Sequence, residues 1–133
     1  MTRVVYIAGK YRHYLPNGAY DLPKMAAEVL AEQRWSRIVA ECGIMWIAPL
    51  SNSVHLEVNP PISGSEFVQR DLALLQRMRP GFDIVLMRAG WNEGRVSEGA
   101  ETELSEAEEC GLIVAHTTHG EAAVREYLTG LNS

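Results

Sequence analysis

Four short apolar segments alternate with longer segments of mixed polarity, and this alternation strongly limits the folds that the chain can adopt. The apolar segments are VVYIA, IMWIAP, DIVLM and LIVAH, which occupy residues 4–8, 44–49, 83–87 and 112–116. Continuous apolar runs of this length, rich in β-branched residues, are typical of strands that are buried on both faces. Strands that alternate with helices indicate an α/β fold with a parallel sheet and right-handed crossovers.

The segments between the strands carry helix signals. Asp21 is a natural N-cap and Gly43 a natural stop, so a helix is expected between them, ending near Glu41. A capping-box pattern from Ser63 to Glu66 introduces a second helix over about residues 65–79, and two more are predicted over about 97–110 and 121–131. The predicted apolar face of the first helix consists of Met25, Val29, Leu30, Trp35, Ile38 and Val39.

Three long loops follow the first three predicted strands, at residues 9–20, 49–64 and 89–97. In open α/β sheets, ligands bind outside the carboxyl ends of the strands, which is the edge that these loops would line. Long loops in a compact domain are often functional, although ordered packing loops are the alternative. A four-stranded sheet is small, so a short fifth strand would fit in one of them.

Composition narrows the class of protein. The 133 residues are 47% hydrophobic and 22% charged, which is typical of a globular chain, and we expect residues 1–133 to form a single domain. No apolar run reaches 18 residues and no cleavable leader is evident, so we expect a cytoplasmic protein without a membrane span. The net charge of −5, without a basic cluster, argues against a nucleic-acid polymer as partner, whereas a small anionic ligand stays open.

One carboxylate of the acidic segment SEGAETELSEAEEC lies on its apolar side. At about 100° per residue, Ala100, Leu104 and Ala107 form one stripe of a helix, and Glu103 falls between Ala107 and Cys110. A carboxylate there could act as a nucleophile or stabilise an oxocarbenium-like centre. The alternative is a glutamate at the helix edge that reaches solvent.

Asp71 is a second acidic residue with either a catalytic or a plain surface role. Asp71 lies beside Leu72 on an amphipathic helix and could act as a general acid, or it could be an exposed carboxylate. Tyr6 lies within the first strand, where its buried hydroxyl needs a partner such as a helix carboxylate. Asp83 opens the third strand at its amino end, which indicates a structural role.

Several common sites are not indicated. His116 and His119 have weak metal spacing without a third ligand nearby, so we expect no metal. The chain has no P-loop, no GxGxxG fingerprint and no GxSxG elbow, and we therefore expect no cofactor. Cys42 and Cys110, each followed by Gly at a predicted helix end, are expected to be small buried residues rather than a disulfide.

Four motifs occur in a recognisable order along most of the chain. They are YIAGKYR (residues 6–12), Asp71 within a helix, DIVLM (residues 83–87) and SEGAETE (residues 97–103). These motifs and their order resemble the nucleoside 2-deoxyribosyltransferase superfamily, which includes 2′-deoxynucleoside 5′-phosphate N-hydrolases. The resemblance implies a flavodoxin/Rossmann-like, doubly wound parallel sheet of four to five strands with helices on both faces. It also implies cleavage of an N-glycosidic bond.

The resemblance gives roles to particular residues. Glu103 matches the catalytic glutamate that attacks the anomeric carbon, Asp71 matches the acid that assists departure of the base, and Tyr6 matches the tyrosine that orients the glutamate. These three would be the catalytic residues.

It also implies a binding surface and an assembly. Gly9 and Arg12 match positions of the first loop near the ligand, and Ser97 and Gly99 match positions that hold its 5′ side. In the nucleotide hydrolases that side is a phosphate. The ligand would be a nucleoside or nucleotide, and members of the superfamily are usually homo-oligomers.

The sequence leaves other functions open. The protein could cleave a (deoxy)nucleoside or its 5′-monophosphate, by hydrolysis or by transfer of the base. It could instead be a non-catalytic module of the same fold that binds a nucleotide as a sensor. A third alternative is a small interaction protein that uses Trp46, Trp91 and the acidic helix as its surface.

Overall fold

The computed structural model describes residues 2–53, 64–94 and 98–132. Strands and helices alternate along this part of the chain, as the apolar pattern predicts. The strands are β1 (Val4–Ala8), β2 (Met45–Ile47), β3 (Ile84–Met87) and β4 (Ile113–His116). The helices are α1 (Leu22–Glu41), α2 (Pro49–Ser53), α3 (Gly64–Gln76), α4 (Glu98–Glu109) and α5 (Glu121–Asn132).

The described strands form one parallel sheet in the order β2-β1-β3-β4. Tyr6 pairs with Val85, and Ala8 pairs with Met87, so β1 and β3 end side by side at the carboxyl edge. The chain leaves β1 towards β2 and returns to the other side of β1 as β3. The strand order therefore reverses between β1 and β3, which is where a doubly wound sheet forms its ligand crevice.

Helices cover both faces of the sheet. On one face, Val5 and Ile7 of β1 pack with side chains of α1 and α5 in the first apolar cluster. On the other face, Tyr6 and Ala8 pack with side chains of α3 and α4 in the second cluster. Alternate residues of each strand point to opposite faces, so one strand supplies both clusters. This arrangement confirms the prediction of a doubly wound α/β fold.

The amino edge of the sheet is held by Asp83, whose side chain is 2% exposed. Its carboxylate accepts hydrogen bonds from the Val4 backbone N at 2.9 Å and from the Arg79 backbone N at 2.7 Å. It also accepts from Arg79 Nε at 3.0 Å and Nη2 at 2.8 Å. Arg3 and Arg79 each place a guanidinium over the Phe82 ring, 4.4 Å from its centroid. Asp83 is therefore far from the crevice and joins the start of β1 to the turn before β3.

Some local details differ from the sequence prediction. The short helix α2 occupies part of a predicted loop, and α3 ends at Gln76 rather than near residue 79. Leu30, predicted on the apolar face of α1, is 65% exposed, because it is five residues or about 140° from the buried Met25. The predicted cap Ser63 lies outside the described residues. Beyond the four strands, the described part of the chain has one isolated bridge, between Tyr14 and Tyr20.

The helix ends follow the predicted signals. Asp21 caps α1 by accepting a hydrogen bond from the Lys24 backbone N at 3.2 Å, and Gly43 follows its last turn with φ of 77°. Cys42 and Cys110 are both half-buried, and they form no disulfide with each other. No helix in residues 2–53, 64–94 or 98–132 combines the length and apolarity needed to cross a bilayer.

Candidate active site

Three predicted catalytic residues meet on the face of the sheet that α3 and α4 cover. Tyr6 is fully buried in β1, and its side chain lies in the second apolar cluster. Glu103, in the second turn of α4, is only 8% exposed and shares its buried stripe with Ala100 and Ala107. Asp71, in the middle of α3, is half-buried. Two helices and one strand thus bring two carboxyl groups to one phenol.

Burial changes the acidity of both carboxyl groups. Burial raises the pKa of Asp71 to about 6; the nearby Tyr6 hydroxyl, a potential donor, partly offsets this rise, and the charge of Glu32 reinforces it. Burial also raises the pKa of Glu103 to about 8, and the charge of Asp71 adds to this effect. Tyr6 and Arg88 both act to lower the pKa of Glu103.

The two carboxyl groups lose their protons in a definite order. Asp71 ionises first, and its charge then opposes the ionisation of Glu103. The repulsion between the two charges is mutual, so the two acids titrate as one coupled pair. Between about pH 6 and pH 8 the pair therefore holds a single proton.

The Tyr6 hydroxyl lies near both acids without being locked to either. Its oxygen is inaccessible to solvent, and no atom of the described residues completes a well-formed hydrogen bond to it. Even so, it is close enough to lower the pKa of Asp71 and of Glu103. Burial, followed by the charges of Glu103 and Asp71, raises the pKa of Tyr6 well above its ordinary value. The phenol therefore stays neutral, and its one proton can be donated to either carboxylate.

Gly9 is in close contact with Arg88, the first residue after β3. A Cβ atom added at Gly9 would lie 2.7 Å from both Cζ and Nε of Arg88, so only glycine fits there without displacing the guanidinium. Arg88 is 3% exposed and donates to the Lys10 carbonyl oxygen at 3.1 Å. The neighbouring Lys10 is also buried, and its Nζ donates to the Glu93 carbonyl oxygen at 3.3 Å. These contacts connect the loop after β1 to the loop after β3.

The other predicted binding residues are more dispersed. Arg12 donates from Nη1 to the Tyr20 hydroxyl at 2.9 Å, and its guanidinium lies 5.6 Å from the centre of that ring. The structure therefore places Arg12 against its own loop. Gly99 lies in the first turn of α4, where an added Cβ would be 3.9 Å from Val68 of α3. Ser97 lies outside the described residues.

Three charged residues near the site were missed by sequence reasoning. Glu28 of α1 accepts from Arg88 Nη1 at 2.9 Å and contacts His13 Nε2 at 2.8 Å. Glu32 of α1 is 1% exposed, and its carboxylate accepts hydrogen bonds from the first residues of α2. Arg88 itself follows an apolar strand with no periodic signal. Of these three residues, only Glu32 had a periodic signal in the sequence, because it lies on the buried side of a helix, as Glu103 does.

Other features of the structure lie away from this site. Within residues 2–53, 64–94 and 98–132, no group of three or more His, Cys, Asp or Glu side chains could hold a metal ion. His116 ends β4 and His119 follows it, and both are exposed. A groove of about 590 Å³ runs between α1 and β2, but none of the predicted site residues lines it. The lining residues are Gln33, Ser36, Arg37, Ala40, Trp46, Ala48 and Ser51.

Comparison of the chain with protein-family models, with curated proteins and with solved structures finds no match in any of the three. The resemblance of the motifs to the nucleoside 2-deoxyribosyltransferase superfamily therefore stays a prediction. Any assignment of function has to rest on the site itself.

Proposed function

We propose that the protein cleaves the N-glycosidic bond of a (deoxy)nucleoside or nucleoside 5′-monophosphate, with Glu103 as the nucleophile. The observation that carries this proposal is the convergence of two carboxyl groups, Glu103 and Asp71, at the buried Tyr6 hydroxyl, where burial raises the pKa of both acids. Glycoside cleavage with a covalent intermediate needs one ionised and one protonated carboxyl group on either side of the scissile bond. The pair supplies both from different helices.

In the first step, a carboxylate oxygen of Glu103 forms a bond to C1′ of the sugar as the bond from C1′ to the base nitrogen breaks. The electron pair of that bond leaves with the base, which takes the proton held by Asp71. The Tyr6 hydroxyl donates to the second oxygen of Glu103 and keeps the carboxylate oriented during the attack. Acid catalysis of this kind typically contributes a factor of about 100 to 10,000 in rate.

In the second step, the glycosyl ester on Glu103 is cleaved at C1′. A water molecule attacks in hydrolysis, and its proton passes to the Asp71 carboxylate. A second base attacks through nitrogen in transfer, and it too gives its proton to Asp71. Either route restores an ionised Glu103 and a protonated Asp71, so the described residues suit both reactions.

The productive state has its proton on Asp71, although Glu103 is the weaker acid in the free protein. The pKa values of about 6 and about 8 favour the proton on Glu103 in the free protein, so the bound ligand has to shift the shared proton to Asp71. Positive charge that develops on the sugar during bond cleavage favours the ionised Glu103. The site is therefore organised for the transition state rather than for the resting protein.

The binding roles rest on the resemblance. In this proposal Gly9 borders the ligand at the crevice, Arg12 approaches it from the first loop, and Ser97 and Gly99 hold its 5′ side. The N-terminal end of a helix such as α4 suits a phosphate or sugar hydroxyls. The protein needs no cofactor for this reaction, and homo-oligomerisation remains part of the proposal.

A turnover screen tests the proposal. Purified protein would be incubated with deoxy- and ribonucleosides and their 5′-monophosphates, with and without a free acceptor base, and released base measured by chromatography. Glu103→Gln should abolish release, whereas Glu108→Gln, at an exposed position of the same helix, should not. Dependence on acceptor base identifies transfer. Stabilisation by a nucleotide without turnover would instead identify a binding module and overturn the enzymatic proposal.

A further inference from the structure

The edge strand β2 exposes large apolar side chains on both faces of the sheet. It lies at one end of the strand order, so within the described part of the chain it pairs with β1 alone. Met45 is level with Val4 and Trp46 is level with Val5, so the two side chains point to opposite faces. Met45 is 59% exposed and Trp46 is 44% exposed. Because a parallel sheet normally buries both of its faces, this edge departs from the rest of the fold.

The opposite edge of the sheet is better protected. Ile113, Val114 and Ala115 of β4 are half-buried, and the strand ends in the exposed, polar His116. Natural proteins often protect an edge strand with charged side chains, which hinder its pairing with another chain. Residues 42–51, which contain β2, carry no charged side chain. The composition of the β2 edge therefore permits contact with a further strand.

The groove between α1 and β2 opens beside Trp46. Its volume is about 590 Å³. The small side chains of Ala40 and Ala48 leave room next to the indole. A pocket beside an exposed aromatic residue suits a second large apolar side chain, since such side chains and the pockets that they fill dominate protein interfaces. One helical stripe of α1 forms the wall opposite the strand, and it consists of Gln33, Ser36, Arg37 and Ala40.

The rim of this groove carries charges of both signs. Arg37 lines the groove, and its Nε lies 3.6 Å from Glu41 Oε1, one turn further along α1. Both side chains are exposed, and Arg125 of α5 reaches the same Glu41 at 3.3 Å. The net charge of −5 makes two copies of the chain repel each other over most of their surfaces. The rim beside β2 is not acidic, and it offers both a cation and an anion to an identical surface.

We propose that the β2 edge binds a second copy of this chain, with the two β2 strands antiparallel about a twofold axis near Trp46. An axis perpendicular to the sheet keeps α1 of both copies on the same face. Each Trp46 then packs into the space beside the groove of the other copy. Arg37 of one copy faces Glu41 of the partner subunit, and the twofold axis generates the same contact in reverse. Met45 is covered on the opposite face of the joined sheet.

The length of β2 decides which contacts hold the two copies together. The strand has three residues, so an added strand contributes few backbone hydrogen bonds. The apolar side chains therefore supply most of the contact, and Trp46 at the centre supplies the largest share. The inference specifies a surface for homo-oligomerisation. It goes beyond the proposed reaction, because neither Glu103 nor Asp71 takes part in the contact.

Sedimentation equilibrium over a range of concentrations tests the inference. The wild type should reach twice the mass of one chain. Trp46→Lys adds a positive charge to the strand edge beside Arg37 and removes the central aromatic ring. It should raise the dissociation constant of the dimer by about 30-fold or more. If Trp46→Lys does not fold, Met45→Lys replaces it.

Leu22→Lys is the matched control. Leu22 is 66% exposed at the start of α1, about three turns before the first groove residue, Gln33. This variant should leave the dissociation constant unchanged, and circular dichroism checks that every variant is folded. A wild type with the mass of one chain at its highest soluble concentration would overturn the inference. So would a dimer that forms equally well in the β2 variant.

A disulfide cross-link tests the strand pairing itself. Antiparallel strands centred on Trp46 place residue 45 of one copy opposite residue 47 of the other, with Cβ atoms about 4.5–5.5 Å apart. Both native cysteines would first be replaced by serine. In that background Met45→Cys/Ile47→Cys should form a disulfide-linked dimer on mild oxidation, and Leu22→Cys should not. A dimer that does not cross-link through β2 would contradict the proposed pairing.

The interface and the proposed reaction can fail independently. If the protein dimerises through β2 but no compound of the turnover screen loses its base, the interface holds and the reaction is wrong. If base is released and requires Glu103, while the wild type has the mass of one chain, the reaction holds and the interface is wrong.

Discussion

The carboxylate of Glu32 caps the short helix α2 through Ser51. Glu32 Oε1 accepts from the Ser51 backbone N at 2.7 Å and from its hydroxyl at 2.8 Å, and Oε2 accepts from the Leu50 backbone N at 3.0 Å. A buried acid in the middle of α1 thus satisfies the unpaired N–H groups at the start of another helix. The same charge raises the pKa of Asp71 and of Glu103.

Glu32→Gln should therefore have two effects. The amide retains one acceptor but turns an NH₂ group towards a donor, so the free energy of unfolding should fall by about 1–3 kcal/mol. The midpoints of Asp71 and Glu103 should fall too, because a negative charge near them is lost. Chemical denaturation measures the first effect and carboxyl NMR the second. Lower stability with unchanged midpoints would show that Glu32 acts only as a cap.

The contrast between Glu32 and Arg88 shows how far the sequence can predict this site. Glu103 is recognisable because helical periodicity places one carboxylate within an apolar stripe, and Glu32 satisfies the same criterion on α1. Arg88 has no such signal, because its burial depends on Glu28, 60 residues away, and on Lys10, 78 residues away. Contacts over such separations follow from the fold and not from local pattern.

The fold itself was more predictable than its details. Four apolar runs identify the strands, and alternation with helices identifies the parallel sheet, because both depend on local periodicity. The helix α2 was missed because its five residues depend on a cap from Glu32, 18 and 19 residues earlier in the chain. The exposure of Leu30 was missed because apolar and polar residues are only weakly separated onto opposite faces of α1. Packing against the sheet therefore decides which face is buried.

Asp83 offers a test of the amino edge of the sheet. Asp83→Asn removes the charge that accepts hydrogen bonds from the Val4 and Arg79 backbones and from the Arg79 side chain, so the free energy of unfolding should fall by about 2–4 kcal/mol. Although burial opposes it, hydrogen bonding from Arg79 and Val4 lowers the pKa of Asp83 below its ordinary value. The folded protein therefore binds this proton less readily than the unfolded chain.

The sign of the pH dependence follows. The stability contributed by Asp83 is fully present above the unfolded-state pKa of about 3.8 and is lost as the pH falls through the lower folded-state value. Urea denaturation at pH 7 and at pH 3 should thus show a smaller gap between wild type and Asp83→Asn at the acid pH. Base release by the variant, measured where it is folded, should match the wild type. An equal difference in free energy of unfolding between wild type and Asp83→Asn at both pH values would contradict a stabilising role for the Asp83 charge.

The stability of the Glu103→Gln variant, relative to that of the wild type, should increase as the pH rises. Burial, followed by the charge of Asp71, raises the pKa of Glu103 from 4.5 to about 8, so the folded protein retains a proton that the unfolded chain has released. Its contribution to wild-type stability is fully present below about pH 4.5 and is lost as the pH rises through about 8. The neutral amide avoids this loss.

Thermal or urea denaturation at pH 5 and pH 8.5 measures the effect. At the higher pH the variant should exceed the wild type by on the order of 1–4 kcal/mol in free energy of unfolding, and the two should be closer at pH 5. Glu108→Gln, at an exposed position of α4, should show no comparable pH dependence. A Glu103→Gln variant that is less stable by the same amount at both pH values would argue against a buried, reluctantly ionised carboxyl.

The two acids predict the pH dependence of the proposed reaction. The active protein needs one proton on the pair, so kcat/KM of the unliganded enzyme should be bell-shaped, with limbs near pH 6 and pH 8. Asp71→Asn should remove the acid for the base and slow cleavage by about 100- to 10,000-fold. The loss should be smaller for a substrate whose base leaves readily without protonation. An equal loss for good and poor leaving groups would instead indicate that Asp71 serves binding or folding and is not the general acid.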